Sequence, residues 1–358
     1  MVFARYGTGK HKISMGVVLL MERNNGYELD MGPIRPPNEG GAGSLLLRIT
    51  RNCHWNRCSF CPFYTGEEFG IRDTEEIKGD IRKVKKIGDM LEDGSEELHN
   101  VPYHSRSIVH GWLRSGARTV FLQDSDSLVM PSDKLIDILV YLKEMFPTIE
   151  RITSYTRSDT LARKDPGELR EIREAGLTRL HVGLESGSDR VLELVNKGVT
   201  AGVHVEGGTK ALEAGFQLSE YVIPGLGGRE LWEDHALETA RVLNLIDPDF
   251  IRMRPLVVNP FTELHQLRTS GEFTVTSPHE RLREIRVMVE ELDVSSALCF
   301  DHFLNGWRGK NGSPLFHTSF AGYRLPRDKE LVLGLIEEGL QVDESMHLDM
   351  RKTNITSL

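Results

Sequence analysis

The chain has 358 residues, 39% apolar and 27% charged, with a net charge of -9, an ordinary globular composition with length enough for one large domain or two smaller ones. That acidic total argues against broad capture of a nucleic-acid backbone. The longest strongly apolar run, ISMGVVLLM at 13–21, is about half the roughly 20 residues of a membrane span, and no secretory signal precedes it, so a cytoplasmic chain with reduced thiols is expected.

In chain order, residues 1–43 predict a short N-terminal hairpin and a connector: an apolar strand at Ile13–Met21, a turn at Asn24-Asn25-Gly26, a second strand, then GPIRPPNEGGAG. GTGKHK at 7–12 lacks both the earlier glycine of a phosphate loop, where Ala4 stands, and a preceding strand. Over 44–262 apolar runs at 44–50, 118–124, 149–155, 178–185, 217–225 and 249–258 alternate with helical patterns at 73–91, 132–145, 166–175, 188–196, 207–214 and 230–244. Asp73 and Glu76 predict a capping box at the first helix. The alternation predicts an α/β fold, a partial (β/α)6 TIM-like barrel. A long connection after the first helix predicts an extra helix near 104–115. After Pro260 the alternation is expected to end, leaving 263–358 as a mixed extension capping the barrel, with helices at 277–291 and 327–339. Its Gly-rich stretch at 305–322 is open to two readings, a cap over the barrel mouth or an ordinary surface loop.

The chemistry concentrates in RNCHWNRCSFCPFY, residues 51–64, which holds Cys53, Cys58 and Cys61, three of four cysteines in the chain. The loop follows the first strand of the series, on the rim where such barrels build active sites. A structural zinc site wants four ligands; here the fourth would be Cys299 or a histidine, His54 being too close to Cys53. Three soft thiolates instead suit three corners of a [4Fe-4S] cluster with one iron open. Cys299 itself, in an apolar run, reads as a small buried hydrophobe.

These residues resemble the radical S-adenosylmethionine (SAM) superfamily, in the branch of Elongator-protein-3, methylthiotransferases and oxygen-independent coproporphyrinogen oxidases, across roughly 44–262. The usual cysteine spacing there is C-x3-C-x2-C, and this chain has one more residue in the first gap. The aromatic between the last two cysteines, Phe60, is kept and is implied to contact the cofactor. Gln123, Asp124 and Asp126 stand where the family has the Gly-Gly-Glu that binds the SAM amino group. Glu185 and Ser186, in HVGLESGSD, match the segment that holds the ribose. Ile223 and Gly225, in YVIPGLGGRE, match the segment beside the adenine, with Tyr221 in place of its first glycine. Arg157 is a candidate fork for the SAM carboxylate, or else a surface ion pair. Glu220 and Tyr221 alternate along one strand, so one of them faces the lumen; Glu220 and Tyr155 are the catalytic candidates.

The resemblance implies that a [4Fe-4S] cluster reduced by a flavodoxin- or ferredoxin-type donor cleaves SAM to a 5'-deoxyadenosyl radical, which takes hydrogen from a small organic substrate. Radical modification of RNA or of a protein side chain, and a non-catalytic iron-sulfur binding or assembly role, are the alternatives. The sequence offers no second cysteine cluster for a methylthiotransferase, and 43 residues before the barrel are too few for a cobalamin-binding half.

Overall fold

The computed structural model describes residues 26–36 and 43–353; the strand at 13–21 and most of the turn at 24–26 lie outside the described residues, while the second strand of the expected hairpin does not form, residues 27–36 running without strand pairing. The strands are β1 (Leu45–Arg48), β2 (Thr50–Arg51), β3 (Gly70–Ile71), β4 (Thr119–Gln123), β5 (Arg151–Thr156), β6 (Leu177–Glu185), β7 (Gln217–Val222), β8 (Phe250–Met253), β9 (Ala297–Cys299) and β10 (Tyr323–Arg324). The helices are α1 (Thr74–Asp93), α2 (Tyr103–Arg114), α3 (Ser132–Met145), α4 (Ser158–Arg163), α5 (Pro166–Ala175), α6 (Asp189–Leu194), α7 (Ala201–Glu213), α8 (Trp232–Ile246), α9 (Glu263–Ser270), α10 (Pro278–Glu291) and α11 (Lys329–Gln341).

One sheet runs β1-β4-β5-β6-β7-β8-β9-β10 and does not close on itself among the described residues. Pairing is parallel from β1 through β9, and β10 returns antiparallel. This is the partial TIM-like barrel of the alternating pattern. Side chains alternate across the pleat: Leu45, Leu47, Val120, Leu122, Leu180, Val182, Leu218 and Val222 face the helices in the main core, each fully buried aliphatic worth about 1.5–3 kcal/mol. The other face of the sheet carries Tyr155, whose ring meets Phe121, His181 and Tyr221 at 5.3, 5.6 and 5.9 Å.

Helix α1 begins where Asp73 accepts the Glu75 N–H at 2.8 Å and buries the stripe Ile77, Ile81, Val84 and Ile87. The capping box expected from Glu76 is replaced: its carboxylate turns to Arg51 and Arg72, at 3.5 and 3.8 Å.

The expectation that the alternation ends after Pro260 is corrected. Helix α10, opened by a Ser277–Glu280 capping box, leads into β9, which extends the parallel sheet through Phe250–Ala297, Ile251–Leu298 and Arg252–Cys299. Cys299 is buried there with Phe250 and Ala297. The Gly-rich stretch does not cover the cavity. Phe316 stacks on Phe300 at 3.8 Å, and the Trp307 Nε1–H donates to the Pro278 carbonyl at 3.3 Å, so the loop plugs the core beside α10.

Candidate active site

The short strands β2 and β3 pair as Thr50–Ile71 and Arg51–Gly70 and close the base of the cysteine loop. Inside it Asn52 and Asn56 take left-handed backbone at φ 68° and 45°, which asparagine tolerates better than most residues, and this folds the chain back twice within five residues. The Asn56 amide donates to the Tyr64 carbonyl at 2.6 Å, and the Asn56 N–H lies 3.4 Å from the Cys53 sulfur. The loop docks on the turn after α6: Ser59 N–H to Val195 carbonyl at 2.9 Å, Trp55 Nε1–H to Asn196 carbonyl at 2.8 Å. Gly198 is required there, since a Cβ would fall 2.1 Å from the Trp55 ring.

Cys53, Cys58 and Cys61 line a cavity of about 550 Å³ together with Phe60, Tyr155, Arg157, Glu185 and Ile223, within the usual volume of a small-molecule site. Burial pushes the Cys58 thiol up against the pull of Lys197 and Arg157, and takes Cys61 up to about 12, with a Phe63 N–H opposing it. Among the described residues no three His, Cys, Asp or Glu side chains close on one point as a single ion would require. The donor set is three thiols of one loop in a soft, cation-flanked wall, with no fourth cysteine in the cavity lining among the described residues, which fits a cluster keeping one iron for another ligand. His54 turns from this wall to Asp126, Nε2 to carboxylate 3.7 Å.

Glu185 sits at φ 63°, just past an irregularity in the β6–β7 ladder between Gly183 and Glu185, the kind of bulge that re-aims a side chain. Its carboxylate accepts from Lys197 Nζ at 2.9 Å. Arg157 is fixed by Asp159, at 2.9 Å, and by the Lys197 carbonyl, at 2.9 Å.

Other expected site residues lie off the cavity, each for a visible reason. The Gln123 amide is committed to the backbone of Gly32 and Ile34. Asp124 pairs with Arg48 at 2.7 Å and accepts the Asn52 N–H. Asp126 accepts from Thr156 at 2.8 Å and Thr160 at 2.6 Å, and burial lifts its pKa to about 6. Of that segment only Ser125 reaches the wall. Ser186 is fully buried, accepting the Ser188 N–H and bonding the His235 ring at 2.8 Å. Gly225, at φ 90°, gives its N–H to Glu284 at 2.8 Å. Glu220 is on the helix side of β7 with Leu218 and Val222, buried and with neither carboxylate oxygen partnered; Tyr221 is the one facing the cavity. Burial, with Glu185 second, drives the Glu220 pKa far up.

The reading of the sequence missed Lys197, Arg254, His302 and the Pro33–Pro36 segment, all on the cavity wall. Two arginines at alternate positions of an apolar strand, Arg252 and Arg254, were a signal for a polar lumen.

A family model, the Radical SAM superfamily, matches residues 109–240. An uncharacterized protein of Methanocaldococcus jannaschii is 24% identical over 174 residues, 48% of this chain and 53% of its own length. A tRNA uridine(34) acetyltransferase of Methanocaldococcus infernus is 24% identical over 268 residues, 69% of this chain and 48% of its own. The chain thus spans about half the length of these two relatives. Among solved structures, the archaeal Methanocaldococcus infernus Elp3 with an N-terminal deletion aligns at TM-score 0.46 and 16% identity, covering 67% of this chain and 60% of that one. Proteins of the matched family generally bind a [4Fe-4S] cluster and SAM. The matched segment runs from within α2 into α8 and carries the Glu185 turn, while β1 delivers the three cysteines to the same cavity: residues 109–240 of this chain match the radical SAM superfamily.

Proposed function

We propose that Cys53, Cys58 and Cys61 hold a [4Fe-4S] cluster and that the adjoining wall binds SAM, for radical hydrogen abstraction from a small organic substrate. The observation that carries this reading is the convergence of three thiols, the Glu185–Lys197 pair and Arg157 on one cavity. When bound, the cluster and SAM together supply a 5'-deoxyadenosyl radical. Glu185, held by Lys197, offers a carboxylate oxygen to ribose hydroxyls; Ile223 gives an apolar seat for adenine. Arg157, already oriented by Asp159, presents its remaining N–H groups to a carboxylate. Phe60, Tyr155 and Tyr221 keep water from the reacting centre, with Tyr155 the side chain set to touch substrate. A flavodoxin- or ferredoxin-type protein is the proposed electron donor.

The test is anaerobic reconstitution followed by dithionite and SAM. Wild type is expected to hold about four irons per chain and to release 5'-deoxyadenosine, and alanine at all three cysteines to abolish iron binding. A fully loaded cluster with no 5'-deoxyadenosine above background would sink the enzyme reading and leave an iron-sulfur binding role. A second reading, an RNA base as substrate, is favoured by the tRNA-modifying relative; a gel shift with bulk tRNA separates the two.

A further inference from the structure

The charges around the cavity are mostly spoken for. Lys197 is held by Glu185, Arg157 by Asp159, and Asp301 by Arg252, each at 2.9 Å. Two cavity arginines have no carboxylate pair among the described residues: Arg35, whose guanidinium goes to the Gly32 and Ile34 carbonyls, and Arg254. The Arg254 backbone N–H is fixed to the Val222 carbonyl at 2.8 Å, and its guanidinium carbon stands 4.7 Å from the Tyr221 ring centroid, with the Tyr221 hydroxyl and the Asp301 charge among its polar company.

Two more donors share this corner. His302 follows β9 and lines the same cavity. Its Nδ1 accepts the Leu304 N–H at 3.4 Å, so the ring proton lies on Nε2. Burial and then the Arg254 charge lower its pKa to about 4, which keeps that ring neutral at pH 7. The Tyr221 hydroxyl is buried, the residue 5% exposed, with no hydrogen-bond partner. A charged fork, an imidazole N–H and a phenol O–H therefore line one cavity, where the carboxylate of the same lining, Asp301, is already engaged by Arg252. A buried donor left unmet is unfavourable, so a ligand acceptor is the expected complement.

We propose that this corner is an oxyanion subsite and that the substrate carries a carboxylate or phosphate group docking on Arg254, with His302 and Tyr221 donating to it. The proposal rests on reading the same cavity as a SAM site, and it assigns the anion to substrate. Arg157 and Lys197, which act electrostatically on Cys58, stand on the cysteine side for the carboxylate of SAM. Arg254 directly follows β8, at the other limb of the sheet from β1.

Cluster-loaded protein, with and without SAM, is titrated with inorganic phosphate and with succinate, glycerol serving as uncharged control, and Arg254 modification by phenylglyoxal is followed by peptide mass mapping. At least one anion is expected to slow modification roughly tenfold, as for a charge-assisted fork, and glycerol is not; phosphate alone points to a phosphorylated substrate, succinate alone to a carboxylate. Arg254→Gln is expected to lose the anion-induced rise in Tm while SAM still raises it. If that variant does not fold, Arg254→Lys, which keeps the charge but not the fork, is expected to weaken anion binding several-fold. Protection by neither anion, an unchanged anion response in the variant, or displacement of SAM by the anion would overturn the proposal. Failure of wild type to bind SAM would instead refute the cofactor reading, since the anion titration is also read without SAM.

Discussion

Glu185 shows how one residue's backbone sets a site. A non-glycine at φ 63° costs about 1–3 kcal/mol, and here it swings a carboxylate onto Lys197 in the cavity wall. Gly183 leaves the room: a Cβ there would lie 2.1 Å from Glu185 Oε1 and 2.9 Å from Lys197 Nζ. Gly183→Ala is therefore expected to keep its circular dichroism spectrum but bind SAM roughly tenfold more weakly by equilibrium dialysis, the cost of one misplaced charge-assisted contact; unchanged affinity would separate Glu185 from SAM. The motif around Glu185 was legible in sequence. Lys197 was not, because twelve residues and a helix separate it from its partner, and only the turn after α6 brings it back.

Between elements, α8 and α10 hold two cavity loops from behind. The His235 Nε2–H donates to the Ile223 carbonyl at 3.1 Å while Nδ1 takes the Ser186 hydroxyl, and Glu284 accepts the Gly225 N–H. Ser186 and Gly225 thus belong to the support of the site rather than its wall. Burial lifts the Glu284 pKa from 4.5 to about 8 and lowers that of His235 from 6.5 to about 4. Between about 4 and 6.5 the unfolded chain alone protonates the histidine, so its contribution to stability rises with pH. Between 4.5 and about 8 the unfolded chain alone ionises the glutamate, so stability falls as pH rises, by roughly 1.4 kcal/mol per unit at most. Glu284→Gln keeps an acceptor for Gly225 and cannot ionise; urea melts are expected to show its stability gaining on wild type as pH climbs from 5 to 8, then holding level. A constant difference would place the buried proton elsewhere.

At the scale of the whole molecule, the sheet continues past the six strands of the repeating pattern. β9 covers the edge of β8, and Asp301 just beyond it neutralises Arg252, which is 1% exposed. A chain cut after Thr262 would bare the β8 edge and strand a buried guanidinium. It is expected to elute as aggregate in size exclusion, where full-length protein does not; a well-folded monomer would show β9 to be dispensable. Sequence by itself determined the order of the six main strands and the longer helices between them over 44–262, though not the short β2–β3 pair or α4, because period-2 and period-3.6 patterning are local properties that need several residues to show, and it determined the cysteine loop, because three thiols within nine residues are a local composition. It also narrowed position 220–221 to one lumen residue but could not choose the face: Tyr221 took it and Glu220 went under the helices, since the pleat's phase is set by the neighbouring strands. Tertiary structure alone decided that Gln123, Asp124 and Asp126 serve as scaffold, that three residues at 297–299 extend the sheet, and that Arg254 and His302 line one cavity, because each depends on bringing together segments tens of residues apart.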